Sequence, residues 1–363
     1  MSSTKDRLTY LLSRREFVKH SASLGLLAAG GSSLATLLSS CSSAEEEVAL
    51  THFIWAGGGQ GDIPREVVPA YIENHPNVSI ELFEGSNSET YPKMVAAREA
   101  DPNKPLVHFG FFNIGITVQG HQTDMWASLN PDKIPNMNDI PDGFHRPDNK
   151  GIGWGMVGLG LLYNTDEVDD PPTSWLDLLD PRFKGKVALW DADFKRSLVP
   201  IAHALGGDAS NVEEAWELLS KAAKDGQFLA FGSSNDDMKN ALVQEGAITV
   251  MSNSFSRKWG EAGVPVGYAV PKEGQIAFPL FFQIVNGCTD SQIEVASDII
   301  NTYLDAETLS RYCNITKAIP AHPGAELSEE LKAHPAYTAE AVQNAMFIDW
   351  DTMATKDAEW KDR

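Results

Sequence analysis

Three cysteines in 363 residues are too few for a disulfide scaffold, and none sits in a CxxC or a Cys/His spacing that would hold a metal. Cys288 and Cys313 can pair in an oxidising compartment or remain buried thiols, and the sequence leaves both open. Positive charge is also scarce: 29 Lys and Arg stand against 50 Asp and Glu, for a net charge of −21. Beyond residue 40 the balance is 24 basic to 48 acidic residues, a surface that argues against nucleic acid or anionic lipid as partner. A long apolar run is missing too. Ser21 to Ser40 is diluted by Gly30, Gly31, Ser32, Ser33 and Thr36, short of the roughly 20 mostly apolar residues of a membrane span. GxSxG, HExxH and a phosphate-binding loop ending in Lys-Ser/Thr are absent. The nine histidines form no pair at ligand spacing on a helix. No cofactor and no metal is therefore expected, and there is no repeat of fixed short period.

What is present begins with an address. Ser13-Arg14-Arg15-Glu16-Phe17-Val18-Lys19 precedes a mildly apolar run that ends at Leu38-Ser39-Ser40-Cys41. The arginine pair Arg14 and Arg15, with Phe17 and Lys19, resembles a bacterial twin-arginine export signal, which makes the export machinery a partner. The Leu-x-x-Cys ending resembles a lipoprotein box, with Cys41 as the lipid-bearing residue. The expected location is periplasmic or at the cell surface, with a lipid anchor as the only contact with the membrane. The division expected is 1–40 signal, 41–47 lipidated cysteine and tether, then a folded body from Val48.

The body reads as α/β. Ala49 to Trp55 predicts a strand, and Gly57-Gly58-Gly59-Gln60-Gly61-Asp62 opens a helix with Asp62 as N-cap and Pro64 in its first turn. Val78, Ile80 and Leu82 alternate with Ser79, Glu81 and Phe83 as in a half-buried strand. A helix near 89–100 and a strand near 106–112 continue a strand–helix order that implies a parallel, doubly wound sheet. Four prolines between 126 and 149 mark an irregular connection. The glycine-rich stretch from 151 to 164 suits extended segments that pack closely. A second α/β alternation runs from Ser174 to Val270. Residues 276–285 then return as a strand to the first lobe, followed by an Ala/Ile-rich helix near 290–304.

Four ordered segments carry a family resemblance: Tyr163-Asn164-Thr165-Asp166; Thr173 to Leu178 with Asp180-Pro181 and Lys184-Gly185-Lys186; Gly267 to Gly274; and Ile319-Pro320. In this order the chain resembles the periplasmic substrate-binding proteins of ABC importers, in the branch that includes spermidine/putrescine-binding proteins. The resemblance implies a two-lobed periplasmic-binding-protein fold. Each lobe would be a mostly parallel sheet flanked by helices, with a hinge of crossing segments. Lobe 1 would comprise 48–153 plus 277–363 and lobe 2 would comprise 154–276. It also implies a monomer that is no enzyme, that traps a small-molecule solute by closure, and that has a permease and its ATPase as partners.

Strand ends and the crossing segments are where such a fold binds its ligand. The candidate ligand-binding residues are Trp55, Gly57, Gly58, Gly59, Asn113, Trp154, Trp190, Asp191, Asp193, Lys195, Arg196, Asn253 and Phe278. The three glycines can present backbone N–H groups to an anion, or simply make a tight turn. The tryptophans can line a cleft or fill the core. Polyamine binders hold amines with carboxylates and pack methylenes on aromatic rings. Here Asp191 and Asp193 match, whereas Lys195 and Arg196 fall where a further acid is expected. Asn253 stands for an aromatic, and Phe278-Pro279-Leu280 keeps an aromatic but loses an Asp. A small anionic or zwitterionic solute is slightly favoured over a polyamine. An exported enzyme and a solute sensor are the rival classes.

Overall fold

The computed structural model describes residues 46–363 apart from Ala192. The expected export motif at Arg14 and Arg15 and the expected lipid site at Cys41 lie outside these residues. Strand β1 (Val48–Trp55) leads through a glycine turn to helix α1 (Pro64–Asn74), then β2 (Val78–Gly85), α2 (Asn87–Ala100), β3 (Phe109–Asn113) and α3 (Ile114–Gln122). After an irregular stretch come β4 (Ile152–Asn164), β5 (Val187–Trp190), α4 (Lys195–Ala204), α5 (Glu213–Lys224), β6 (Phe228–Gly232), α6 (Asn235–Gln244) and β7 (Ile248–Ser252). The chain continues with α7 (Asn253–Glu261), β8 (Val266–Ala269), β9 (Ile276–Ile284), α8 (Asp290–Tyr303), α9 (Ala306–Thr316) and β10 (Ile319–Pro320). It ends with α10 (Glu329–Lys332), α11 (Ala339–Gln343), β11 (Met346–Phe347) and α12 (Trp350–Lys361).

Local chemistry sets most boundaries. Ser86 accepts the Glu89 N–H and starts α2 two residues earlier than the apolar spacing suggests. The expected cap at Asp62 does not form. Asp62 instead gives its backbone N–H to Gly59 O in a turn, and α1 begins at Pro64, whose fixed φ and missing N–H suit a first helical position. Helix α8 carries a reciprocal cap between Thr289 and Gln292.

The strands form one continuous path, β2-β1-β3-β9-β4-β7-β5-β6, with β8 and β10 on β4 and β11 on β9. Pairs β1–β2, β1–β3, β5–β6 and β5–β7 are parallel. Strand β9 runs antiparallel to both β3 and β4, and β4 antiparallel to β7. The sheet is thus mixed, not purely parallel: β4 and β9 are shared by both lobes, and returning strands must oppose their neighbours. The first lobe carries β2, β1 and β3, and the second carries β7, β5 and β6.

The glycines of β4 are explained by what lies against them. A Cβ on Gly158 would stand 2.1 Å from Gln275 Oε1, and one on Gly160 2.6 Å from the Tyr268 ring. Gln275 is fully buried, gives its amide to Ala336 O at 2.8 Å and Ala341 O at 3.3 Å, and lies 3.0 Å from the Tyr268 hydroxyl. This polar knot fastens the shared strands to the segment that follows α10. The core divides accordingly. The larger apolar cluster, with Phe111, Trp154, Phe282 and Tyr303, fills the first lobe and continues past β4 to Trp190, Met238 and Trp259 on the second. A second, with Trp175, Leu189, Leu198 and Ile248, fills the other lobe. The last segment was expected wholly in the first lobe, yet Met346, Met353 and Trp360 are buried in the second cluster. Cys288 and Cys313 are both free thiols.

Candidate functional site

Strand register locates the site. At the end of β3, Asn113 pairs with Leu280 of β9, and Leu280 pairs with Gly155 of β4. At the end of β7, Ser252 pairs with Leu159 of the same β4. Strands β3 and β7 run toward each other along β4, so the C-terminal ends of the two lobes' strands meet over its middle. Gly155 and Leu159 are four positions apart, about 13 Å at the usual rise per strand residue. Because β1 lies parallel beside β3 and β5 beside β7, all four strand ends open on one gap, floored by Val157 and Phe278, which pair with each other. In open α/β sheets the crevice outside the carboxyl ends of the strands is where ligands bind.

On the first lobe's side, Trp55 ends β1 half-buried. Its indole Nε1 is buried and has no hydrogen-bond partner among the described residues. Gly57, Gly58 and Gly59 follow with φ of 77°, 61° and 74°. This left-handed run is affordable only without a Cβ, and Gly57 and Gly58 are exposed, with nothing within 4 Å of an added Cβ. Gln60 closes the turn, its Oε1 taking the Tyr312 hydroxyl at 2.6 Å. Asn113 caps α3 by accepting the Ile116 N–H at 3.0 Å. Trp154 stands behind this surface, fully buried between Trp55 and Tyr312, with ring centroids at 6.4 and 4.8 Å.

On the second lobe's side, Trp190 ends β5 and anchors its indole N–H on Val250 O at 2.9 Å. The Arg196 guanidinium lies over its ring, 4.7 Å from the centroid, and pairs with Asp193. Lys195 is bonded to Asp357 of α12. Burial works to raise the Asp357 carboxyl, but the ammonium groups of Lys195 and Lys361 outweigh it and hold it below the usual range. Both basic side chains therefore already have carboxylate partners, whereas Asp191 is exposed and has no ion-pair partner among the described residues. Asn253 is fully buried and accepts the Gly158 N–H at 3.2 Å, fastening α7 to β4. Phe278 meets the Trp350 ring edge to face at 5.2 Å.

The topology thus gathers the ends that carry Trp55, Asn113, Trp190, Asp191 and Asn253 around Phe278. Trp154 and Asn253 have no exposed surface in this conformation. Sequence reasoning missed Gln60, Tyr312, Trp350 and Asp357. Their partners lie far away in the chain, Lys195 and Asp357 being 162 positions apart, and no local motif marks such pairs. No group of three or more His, Cys, Asp or Glu among the described residues is placed to hold a metal ion. No helix among the described residues is long and apolar enough to cross a membrane.

Known proteins bear on this geometry. The family described as bacterial extracellular solute-binding protein matches residues 110–356. The spermidine/putrescine-binding periplasmic protein of Escherichia coli is 29% identical over 167 residues, 42% of this chain and 46% of that one. The match spans about half the length of that relative. An ABC transporter structure from Clostridium perfringens superposes with a TM-score of 0.73 at 21% identity, covering 87% of this chain and 98% of the other. A spermidine/putrescine ABC transporter substrate-binding protein from Streptococcus pneumoniae gives 0.67 at 20% identity, with the same coverage. A ferric iron-binding protein of Mannheimia haemolytica, in an open conformation, gives 0.66 at 11% identity, over 87% and 96%. At these identities the structures establish the fold, the two-lobed periplasmic-binding-protein architecture.

Proposed function

The chain belongs to the bacterial extracellular solute-binding protein family, and on that ground we propose that it is the extracytoplasmic receptor of an ABC importer. It holds one small polar solute between its lobes and presents the closed form to a membrane permease served by an ATPase. The observation that carries this reading is the meeting of four strand ends over the middle of β4. A solute seated there touches both lobes, so it binds the closed arrangement better than the open one and shifts the balance by that difference. Export through Arg14 and Arg15 and anchoring through Cys41 fit the same role. The protein is read as a carrier and not a catalyst, because the family binds solutes and, among the described residues, the strand ends present no nucleophile paired with a base.

The solute we favour bears hydrogen-bond acceptors, as a carboxylate or phosphonate does, in an anionic or zwitterionic molecule. Three features support it. The Trp55 indole N–H is a buried donor lacking a protein acceptor, and such a group costs free energy until it is paired. The Trp190 face is covered by Arg196, so a polyamine's methylene chain would first have to displace a guanidinium. The exposed turn Gly57–Gly58 adds backbone amides suited to an anion. A polyamine is the second reading, supported by the likeness to the Escherichia coli spermidine/putrescine-binding protein and by the free carboxylate of Asp191.

A thermal-shift panel of polyamines, amino acids, di- and tricarboxylates and phosphonates tests the proposal. Solute at about 100 times its Kd adds about 2.7 kcal/mol to stability. A selective acceptor-bearing hit supports the favoured reading and a selective polyamine hit the second. If no class shifts the transition and no small molecule is released on denaturation, the receptor reading fails.

A further inference from the structure

Helix α12 is fastened to both lobes. At its first turn, the two Asp351 carboxylate oxygens accept from Arg146 Nη2 at 2.8 and 2.7 Å. The Arg146 side chain is only 9% exposed and lies 6.0 Å from the centroid of Phe281 of β9. Trp350 and Ala354 pack against Ile114 and Val118 of α3, the helix that springs from the end of β3. Further along, Asp357 holds Lys195 in the first turn of α4, with both side chains mostly buried. Met353 and Trp360 belong to the second lobe's core. After the helix, Arg363 forks onto the Glu213 carboxylate at 2.8 Å and covers the Trp216 ring at 5.3 Å.

A twelve-residue helix is a rod of about 18 Å, and a rod cannot follow two bodies that rotate apart. A hinge movement must therefore release either the Arg146, Phe278 and α3 contacts or the Lys195 and Glu213 contacts. We propose that α12 is an inter-lobe latch whose ion pairs, Arg146–Asp351 and Lys195–Asp357, set the balance between the open and closed arrangements. Lys195 follows directly on the loop that bears Asp191 and Asp193, so a solute that moves this loop also works on the latch. Asp351 and Asp357 are positioning residues in this scheme. They hold the second lobe's loop at a defined place over the floor formed by Phe278. The proposal rests on the hinge-closure reading, but its test does not need the solute.

Fluorophores introduced at the exposed positions Glu73, on α1, and Lys221, on α5, report the distance between lobes by single-molecule energy transfer in the full chain. Without solute, D357N and, more strongly, D351N/D357N are expected to displace or broaden the distance distribution relative to the parent protein, and the reversed pair K195D/D357K to recover what D357N alone loses. Recovery in the reversed pair separates a latch from a fold defect. Superimposable distributions for the parent and D351N/D357N, with unchanged far-UV circular dichroism, would overturn the latch. So would a reversed pair that stays displaced while folded. If the parent protein binds no solute of the panel while D351N/D357N still shows the displacement, the latch stands and the receptor reading falls, so the two failures are distinguishable.

Discussion

Replacing Arg196 by Ala separates binding from stability and reads the sign of the solute's charge. In the free protein the guanidinium pairs with Asp193 and stacks on Trp190, with side chains 24% and 38% exposed for the two ion-pair partners. A pair this open to water is worth under about 1 kcal/mol, and the stacking adds about 0.5–1 kcal/mol. The loss of stability should thus stay below about 2 kcal/mol. Entropy of unfolding near 2.1 cal/mol/K per residue over the described body makes that a fall in Tm of about 3 °C at most. Affinity behaves differently. A buried charge contact to an anionic group is worth about 2–5 kcal/mol, so an acceptor-bearing solute should bind about 30-fold to several thousand-fold more weakly. Isothermal titration with the panel hit gives both Kd and stoichiometry. If the solute is cationic, removing the guanidinium uncovers Trp190 and frees Asp193, and affinity should rise. An unchanged Kd in a protein of near-parental Tm would refute the placement of Arg196 at the solute.

Other outcomes follow from the interior. Gln275→Leu removes three buried hydrogen-bond contacts at Tyr268, Ala336 and Ala341, and should cost about 2–5 kcal/mol, lowering Tm in a calorimetric scan by about 3–8 °C; a fall under 1 °C would deny the knot its role. His52 is buried, stacked on Phe109 and bonded to Tyr303, and burial pushes its pKa down to about 3. Its folded value lies below the unfolded 6.5, so its stability contribution is whole above pH 6.5 and is lost as pH falls toward 3. At pH 4.5 that loss is about 2–3 kcal/mol from this residue, and burial of His108 and His334 acts in the same direction; a urea midpoint equal at pH 7 and pH 4.5 would contradict it. Burial raises the Cys313 thiol and pushes Cys288 up to about 12, so neither should react with a disulfide reagent at pH 8 until the protein unfolds; rapid labelling of Cys313 in the native protein would count against its burial.

The fold was largely legible because its signals are local. The alternation of Val78, Ile80 and Leu82, the glycine spacing of β4 and the order of strands and helices each depend on neighbours a few residues away. What was not legible depends on distant partners. Pro64 in the first turn was readable, but the competition at Asp62, whose backbone N–H goes to Gly59 O in a turn instead of the residue capping the helix, was not. Antiparallel β9 cannot be distinguished from another parallel strand by composition, since both are buried on two faces. At the site, the strand ends at Trp55, Asn113 and Trp190 were readable from element order. The pairing of Lys195 with Asp357 and of Arg196 with Asp193 was not, and it changes the meaning of both basic residues, from free anion ligands to groups that a solute must recruit. The C-terminal helix is the plainest case: its apolar residues mark it as packed, but only the folded chain shows it spanning two cores.

The central claim is that one solute closes two lobes over the middle of β4. Small-angle X-ray scattering of the protein, with and without its panel hit at saturation, tests it most directly. The account predicts a smaller radius of gyration at one solute per chain. A scattering profile that stays the same while one solute per chain is bound would contradict it.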